Sequence, residues 1–217
     1  MLRALAESFL RQRFAWLFAS LLATLGVDPV LTALGFRGRG LDWLLALSLL
    51  TVVAGTWRRS ALASPVGITT VLLLWLASYA VDVEPGPAVR QALLAAAALW
   101  SVGAILPSVL RGGVVDSERI AAALSTYLLV GFAFGGIFAM TNSLAPGSIG
   151  GAVSGAEGTS LGDSVYFSFA TLATLGYGDV LPVSQAARAL AVLEAVIGQL
   201  YLAVLVARLV SLYSREQ

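Results

Sequence analysis

Nine residues toward the C-terminal end, Thr171–Asp179, read T-L-A-T-L-G-Y-G-D. A cation stripped of its water needs oxygens in place of its hydration shell, and a peptide backbone can supply them. Thr174, Leu175, Gly176 and Tyr177 offer successive carbonyl oxygens, and Thr174 adds a hydroxyl at the inner end. Carbonyls of neighbouring residues turn toward one axis only if alternate residues take left-handed dihedrals. Gly176 and Gly178 do so without a Cβ penalty. Tyr177 then points away from that axis, where its ring can pack on a preceding helix. Stripped of its flanks, the same string is also a plain tight turn. Glu194 is the other residue with chemistry in an unusual place, because a carboxyl within an apolar helix is a functional-site candidate by default. The chain has no Cys and no His. That excludes disulfides, thiol chemistry, the common zinc sites and a histidine pH switch. No acid, base and nucleophile converge, so an enzyme is not expected.

These residues sit in an apolar chain. Of 217 residues 59% are hydrophobic, and the mean hydropathy is +0.89. A soluble domain of this size cannot hide so much apolar surface, so the solvent is expected to be a bilayer. A net charge of +1 offers no field for nucleic acid. Hydropathy predicts six spans, about Phe14–Leu34, Leu41–Trp57, Val66–Val81, Gln91–Leu110, Ile120–Met140 and Ala186–Ser211. A shorter apolar run, Ser164–Ala173, cannot cross. Irregular backbone at membrane depth needs protein or a water-filled pore around it, which predicts a short helix followed by a re-entrant loop. Residues 1–13 carry Arg3, Glu7, Arg11 and Arg13, and read as an interfacial cytoplasmic helix rather than a signal peptide. All thirteen basic residues are Arg. With both termini inside, nine of them face inward and four outward, the bias expected of cytoplasmic loops. The polar break Gly112–Glu118 divides a four-helix module, 14–112, from a two-helix module, 113–217. Ala145–Gly162, rich in Gly and Ser without periodicity, reads as an extracellular turret loop.

With its flanking spans and the short run before it, Thr171–Asp179 resembles the signature of tetrameric potassium channels at every motif position, and the resemblance extends over Ser117–Val210. It implies an all-α integral membrane protein: six transmembrane helices, a re-entrant pore helix and a selectivity filter, assembled as a fourfold homotetramer. It implies passive potassium conduction, with the ion held at Thr174, Leu175, Gly176 and Tyr177 and the filter completed by Gly178 and Asp179. Membrane lipids and copies of the chain are the expected partners. Neither an organic cofactor nor nucleic acid is expected, and a gating ligand or partner stays unassigned. The absence of Cys and the Arg-only basic set fit a bacterial inner membrane. A different class, a regulatory or sensory subunit that assembles with other channel chains and conducts little alone, stays open.

The resemblance also assigns supporting residues. Tyr166 and Phe167 stand where the best-known bacterial channels carry two Trp; Tyr166 can reach Asp179, whereas Phe167 has nothing to donate to Tyr177. Ala170 stands where some relatives place a Glu behind the filter, and Thr171 can offer its hydroxyl to a neighbour's Tyr177. Glu194, four residues before Gly198 as in bacterial inward rectifiers, can support the filter through Thr171 or Ser168, or be a buried acid with a structural bond. Gly198 follows Gly178 by twenty residues, the spacing of a hinge glycine, although a small residue there also permits close helix packing. Gln199, Leu202, Val206 and Val210 share one face, expected to line the cavity and inner gate or else to pack the bundle.

The four-helix module lies where voltage-gated relatives carry a sensor. Its fourth span has no charge between Arg90 and Arg111, and its third has none at all. Asp28, beside Pro29, is expected inside a helix of the first half, whereas Asp42, at the edge of the second span, is expected on the outer face. Few residues follow the last span, so gating is expected from the membrane part, the filter, lipid or a separate partner. One elementary charge crossing the field is worth about 2.3 kcal/mol per 100 mV, and steep gating needs about three or four per subunit. Open probability is therefore expected to change only weakly between strongly negative and strongly positive potentials. A voltage-step series in symmetrical potassium checks this; a steep sigmoid equivalent to several charges would refute it.

Overall fold

The computed structural model describes residues 12–33, 40–56, 65–78, 86–110, 116–151 and 160–213. Among these, the helices are α1 (Arg13–Ala33), α2 (Gly40–Thr56), α3 (Pro65–Ala77), α4 (Gly86–Leu110), α5 (Ser117–Leu144), α6 (Leu161–Leu172) and α7 (Gln185–Tyr213). Two short strands, β1 (Ile149–Gly151) and β2 (Val180–Pro182), complete the elements. Each predicted span has its helix, and the short run has α6. Three helices, α4, α5 and Gln185–Arg208 of α7, are long and apolar enough to cross a membrane. At about 1.5 Å per residue each exceeds the roughly 30 Å of hydrocarbon. The apolar stretches Arg13–Val27 and Gly67–Ala77 are shorter. The interfacial helix expected over 1–13 falls almost wholly outside the described residues, as do Arg111 and the end of the third span beyond Ser78.

The sequence makes these helices by composition and by local polar bonds. Leu and Ala dominate α4, and both favour helix. Polar groups in such surroundings have to be satisfied within the protein. Ser125 and Thr126 donate to Ala121 O at 2.7 Å and Ala122 O at 2.8 Å, and Thr141 donates to Ile137 O at 2.8 Å. At the start of α7, Ser184 Oγ accepts from Ala187 N at 3.1 Å, satisfying a first-turn donor.

The chain forms two compact units: Met1–Thr70 with Leu99–Leu129 and Leu205–Gln217, and Val71–Ala98 with Val130–Val204. In the first, Leu17, Leu21, Leu45, Leu49, Ile105 and Leu129 are buried. The Thr24 and Ser48 hydroxyls meet at 3.2 Å between α1 and α2. The first turn of α1 has backbone donors without helical acceptors. Glu118 of α5 takes two of them, Phe14 N at 3.1 Å and Ala15 N at 3.2 Å, and its charge suits the positive end of the helix.

In the second unit the core is aromatic, and small residues bring helices close. Phe138 meets Phe167 edge-on at 4.8 Å between centroids, and Phe132 meets Phe169 at 5.4 Å. Each such pair contributes about 0.5–1.5 kcal/mol beyond area burial. α5 approaches α6 at Gly131 and Gly135. A Cβ on Gly131 would lie 2.5 Å from Cζ of Phe169, and one on Gly135 would lie 2.9 Å from the Cα of Val165. Glycine here is a matter of space, as at close helix crossings in membranes.

This gives a stability prediction. Gly135→Ala pushes on backbone, which cannot rotate away, and is expected to cost about 1–3 kcal/mol by overpacking. Gly103→Ala meets nothing within 4 Å and is expected to be neutral or stabilising by up to about 1 kcal/mol through helix propensity. Thermal or denaturant unfolding in detergent compares the two; equal effects would refute the argument.

Candidate functional site

The site is built on α6. Ser160 caps its N-terminus: Ser160 Oγ accepts from Asp163 N at 3.1 Å, and Asp163 Oδ2 accepts from Ser160 N at 2.9 Å. This reciprocal capping box is legible in the S-L-G-D string and sets the helix start at Leu161, before the expected Ser164. At the other end the chain curls back on the helix. Thr174 N donates to Thr171 O at 3.1 Å, and Leu175 N donates to Ala170 O at 2.8 Å. Gly176 N reaches the same Ala170 O at 3.4 Å.

The donors of 174–176 are thus bound inward, and the acceptors are left. Among the described residues no carbonyl from Thr174 to Gly178 accepts a hydrogen bond. The dihedrals alternate: Thr174 has φ 57°, Gly176 φ 60° and Gly178 φ 76°. Left-handed positions were expected at the two glycines. Thr174 makes a third, and for a β-branched residue that backbone is uncommon and strained by about 1–3 kcal/mol. The bond from its N–H to Thr171 O is one contact that holds it there. Alternation of this kind turns successive carbonyls to one side, where a strand would alternate them.

Of the supporting residues, Tyr166 does reach Asp179: its hydroxyl donates to Asp179 Oδ2 at 2.8 Å. The carboxylate raises the phenol above the ordinary tyrosine range, chiefly through that bond. Asp179 Oδ1 accepts from Val180 N at 3.1 Å. Tyr177 is 70% exposed in a single copy. Thr171 spends its hydroxyl on Phe167 O at 2.9 Å. Phe167 is buried against Phe138.

Glu194 is completely buried. Of the two partners expected for it, Ser168 is the one it meets, with Oγ 2.5 Å from Glu194 Oε1. The same Ser168 hydroxyl lies 2.7 Å from Gly131 O, so one proton serves oxygens on α5 and α7. Glu194 Oε2 has no partner among the described residues. α7 runs unbroken through Gly198, where a Cβ would come within 2.6 Å of Leu172 Cδ1 and 3.2 Å of Leu172 O. That is the close-packing role: the inner helix touches the end of α6. Gln199 and Val206 are exposed and Leu202 is half-buried. The Val210 side chain lies outside the described residues. Sequence reasoning missed the Ser160–Asp163 box, which the capping pattern could have supplied. It also missed the glycine contacts of α5, which leave no signal in a single sequence.

Residues 124–215 match the family model described as an ion channel. The match begins within α5 and takes in α6, the alternating segment and α7, and it supports an ion channel. Neither the curated proteins nor the solved structures contain a match.

The Ser168 contact makes a prediction. Ser168→Ala strips the buried Glu194 carboxyl of its described partner and is expected to cost about 1–3 kcal/mol. Combining it with Glu194→Leu is expected to recover most of that, because removing both polar partners is nearly neutral. A double-mutant cycle on unfolding in detergent measures the coupling; additive effects would mean that the two side chains do not interact.

Proposed function

We propose that this chain is the subunit of a potassium-selective channel, with Thr174–Asp179 as the selectivity filter of a four-copy pore. One observation carries the reading. Three alternate left-handed residues turn a row of carbonyls that accept no described hydrogen bond, while the neighbouring donors are tied back to α6. Such a row offers a cation the oxygens its water shell supplied. The carbonyl end of α6 lies beside it, and the negative end of a helix dipole favours positive charge.

One chain presents one such row, so an ion can be surrounded only by several rows around an axis. Closed cyclic symmetry is the usual way for one chain to provide them, and the motif resemblance makes the number four. The inner helix fits that arrangement: Val192, Leu193, Val196, Leu200 and Val204 are all exposed in a single copy. The intact G-Y-G-D string supports potassium over sodium. Conduction is passive, and the channel match is consistent with a protein that performs no catalysis.

In mixed potassium and sodium solutions across a bilayer, the reversal potential of the purified protein is expected to follow potassium. A reversal midway between the two ions would refute selectivity. Gly176→Ala is expected to abolish conduction while leaving assembly intact, because φ of 60° at this position penalises a Cβ. Native mass measurement is expected to give a tetramer; a conducting monomer or dimer would refute the four-copy pore.

A further inference from the structure

The stretch from Ala145 to Gly162 carries no periodicity, yet part of it is ordered against the outer end of the candidate filter. After α5, Asn142 Oδ1 accepts from Gly147 N at 3.1 Å and Ile149 N at 3.3 Å, closing a turn. Ile149 is buried. β1 then pairs antiparallel with β2, Gly151 standing opposite Val180. Ser148 O accepts from Val183 N at 2.8 Å and Ser184 N at 3.2 Å, which extends the attachment to the start of α7. β2 begins one residue after Asp179, so the turret is hydrogen-bonded directly to the chain leaving the filter.

Gly151 is where this attachment is tightest. A Cβ there would overlap the carbonyl oxygen of Asp179, and would lie 2.8 Å from its carbonyl carbon and 3.0 Å from the Cα of Val180. All three are backbone atoms, so no side-chain rotation relieves the overlap. The φ of Gly151 is not positive, so the demand is for space and not for a left-handed backbone. From the other direction Tyr166 holds the Asp179 carboxylate at 2.8 Å. The Asp179 peptide, next to the left-handed Gly178, is therefore fixed by a phenol of α6 and by a bare backbone in the turret.

We propose that Gly151 is a positioning residue for the filter: the turret strand sets the Asp179 peptide, and through it the outermost ion position. This rests on the reading of Thr174–Asp179 as a potassium filter. Gly150, its neighbour on the same strand, is an internal control, because a Cβ there meets only Val183 Cγ2 at an ordinary 3.5 Å.

The test compares Gly151→Ala with Gly150→Ala in the full chain, reconstituted in bilayers, with external and internal potassium varied separately. Gly150→Ala is expected to behave as the wild type. Gly151→Ala is expected to assemble, to shift the dependence of conductance on external potassium several-fold, and to lower potassium-over-sodium selectivity. Its dependence on internal potassium is expected to change less. Loss of stability alone would reduce the number of active channels without moving the reversal potential. If four altered copies prevent assembly, tandem-linked subunits carrying one Gly151→Ala copy among four give the same comparison. An assembled Gly151→Ala channel with wild-type selectivity and external potassium dependence would overturn the proposal. A wild type that does not select potassium would instead overturn the filter reading.

Discussion

Backbone polar groups at membrane depth need partners, and the structure is organised around the stretch that leaves some of its own without one. In the long helices the backbone groups pair along the helix, and hydroxyls such as those of Ser125, Thr126 and Thr141 are bonded to it too. From Thr174 to Gly176 the donors are taken up by the end of α6, whereas among the described residues no carbonyl from Thr174 to Gly178 accepts a bond. Such an arrangement is stable only when something else supplies positive charge or donors to those oxygens. The strained φ of Thr174 belongs to the same constraint, since backbone strain persists where the surroundings over-determine it.

What surrounds the strip is correspondingly rigid. α6 is capped at one end by a reciprocal pair and packed edge-on against α5 through two phenylalanine contacts. Gly135 lets the backbones of α5 and α6 approach without a side chain between them, and Gly198 does the same between α7 and the end of α6. The Ser168 hydroxyl sits where α5, α6 and α7 meet. Loosening any of these would let the end of α6 move, and the carbonyl row hangs from that end.

The sequence made the site far more legible than its surroundings. T-L-G-Y-G-D announces itself because its glycines answer a dihedral requirement that few other residues satisfy. The helices were legible because apolar runs of spanning length have little else to become. Thr174 as a third left-handed residue was not legible: propensity argues against it, and the turn in which its N–H bonds to Thr171 O at the end of α6 overrides propensity. The partner of Glu194 was half legible, since spacing offered both Thr171 and Ser168 and packing chose between them. β1 was hidden altogether. Three residues, I-G-G, have no strand signature, and their partner V-L-P lies beyond α6 and the whole candidate filter.

That ribbon has a consequence for how the chain is threaded. β1 and β2 lie side by side, so the chain between them must return to the place it left. Whichever surface of a bilayer holds one strand holds the other. α5 and α7, which run into and out of the ribbon, are thereby committed to opposite directions. Loop closure costs conformational entropy once, and its cost grows only slowly with length. The turret can therefore change in length outside the ribbon at little energetic cost, while the knot of backbone at its base keeps the two ends of the segment together.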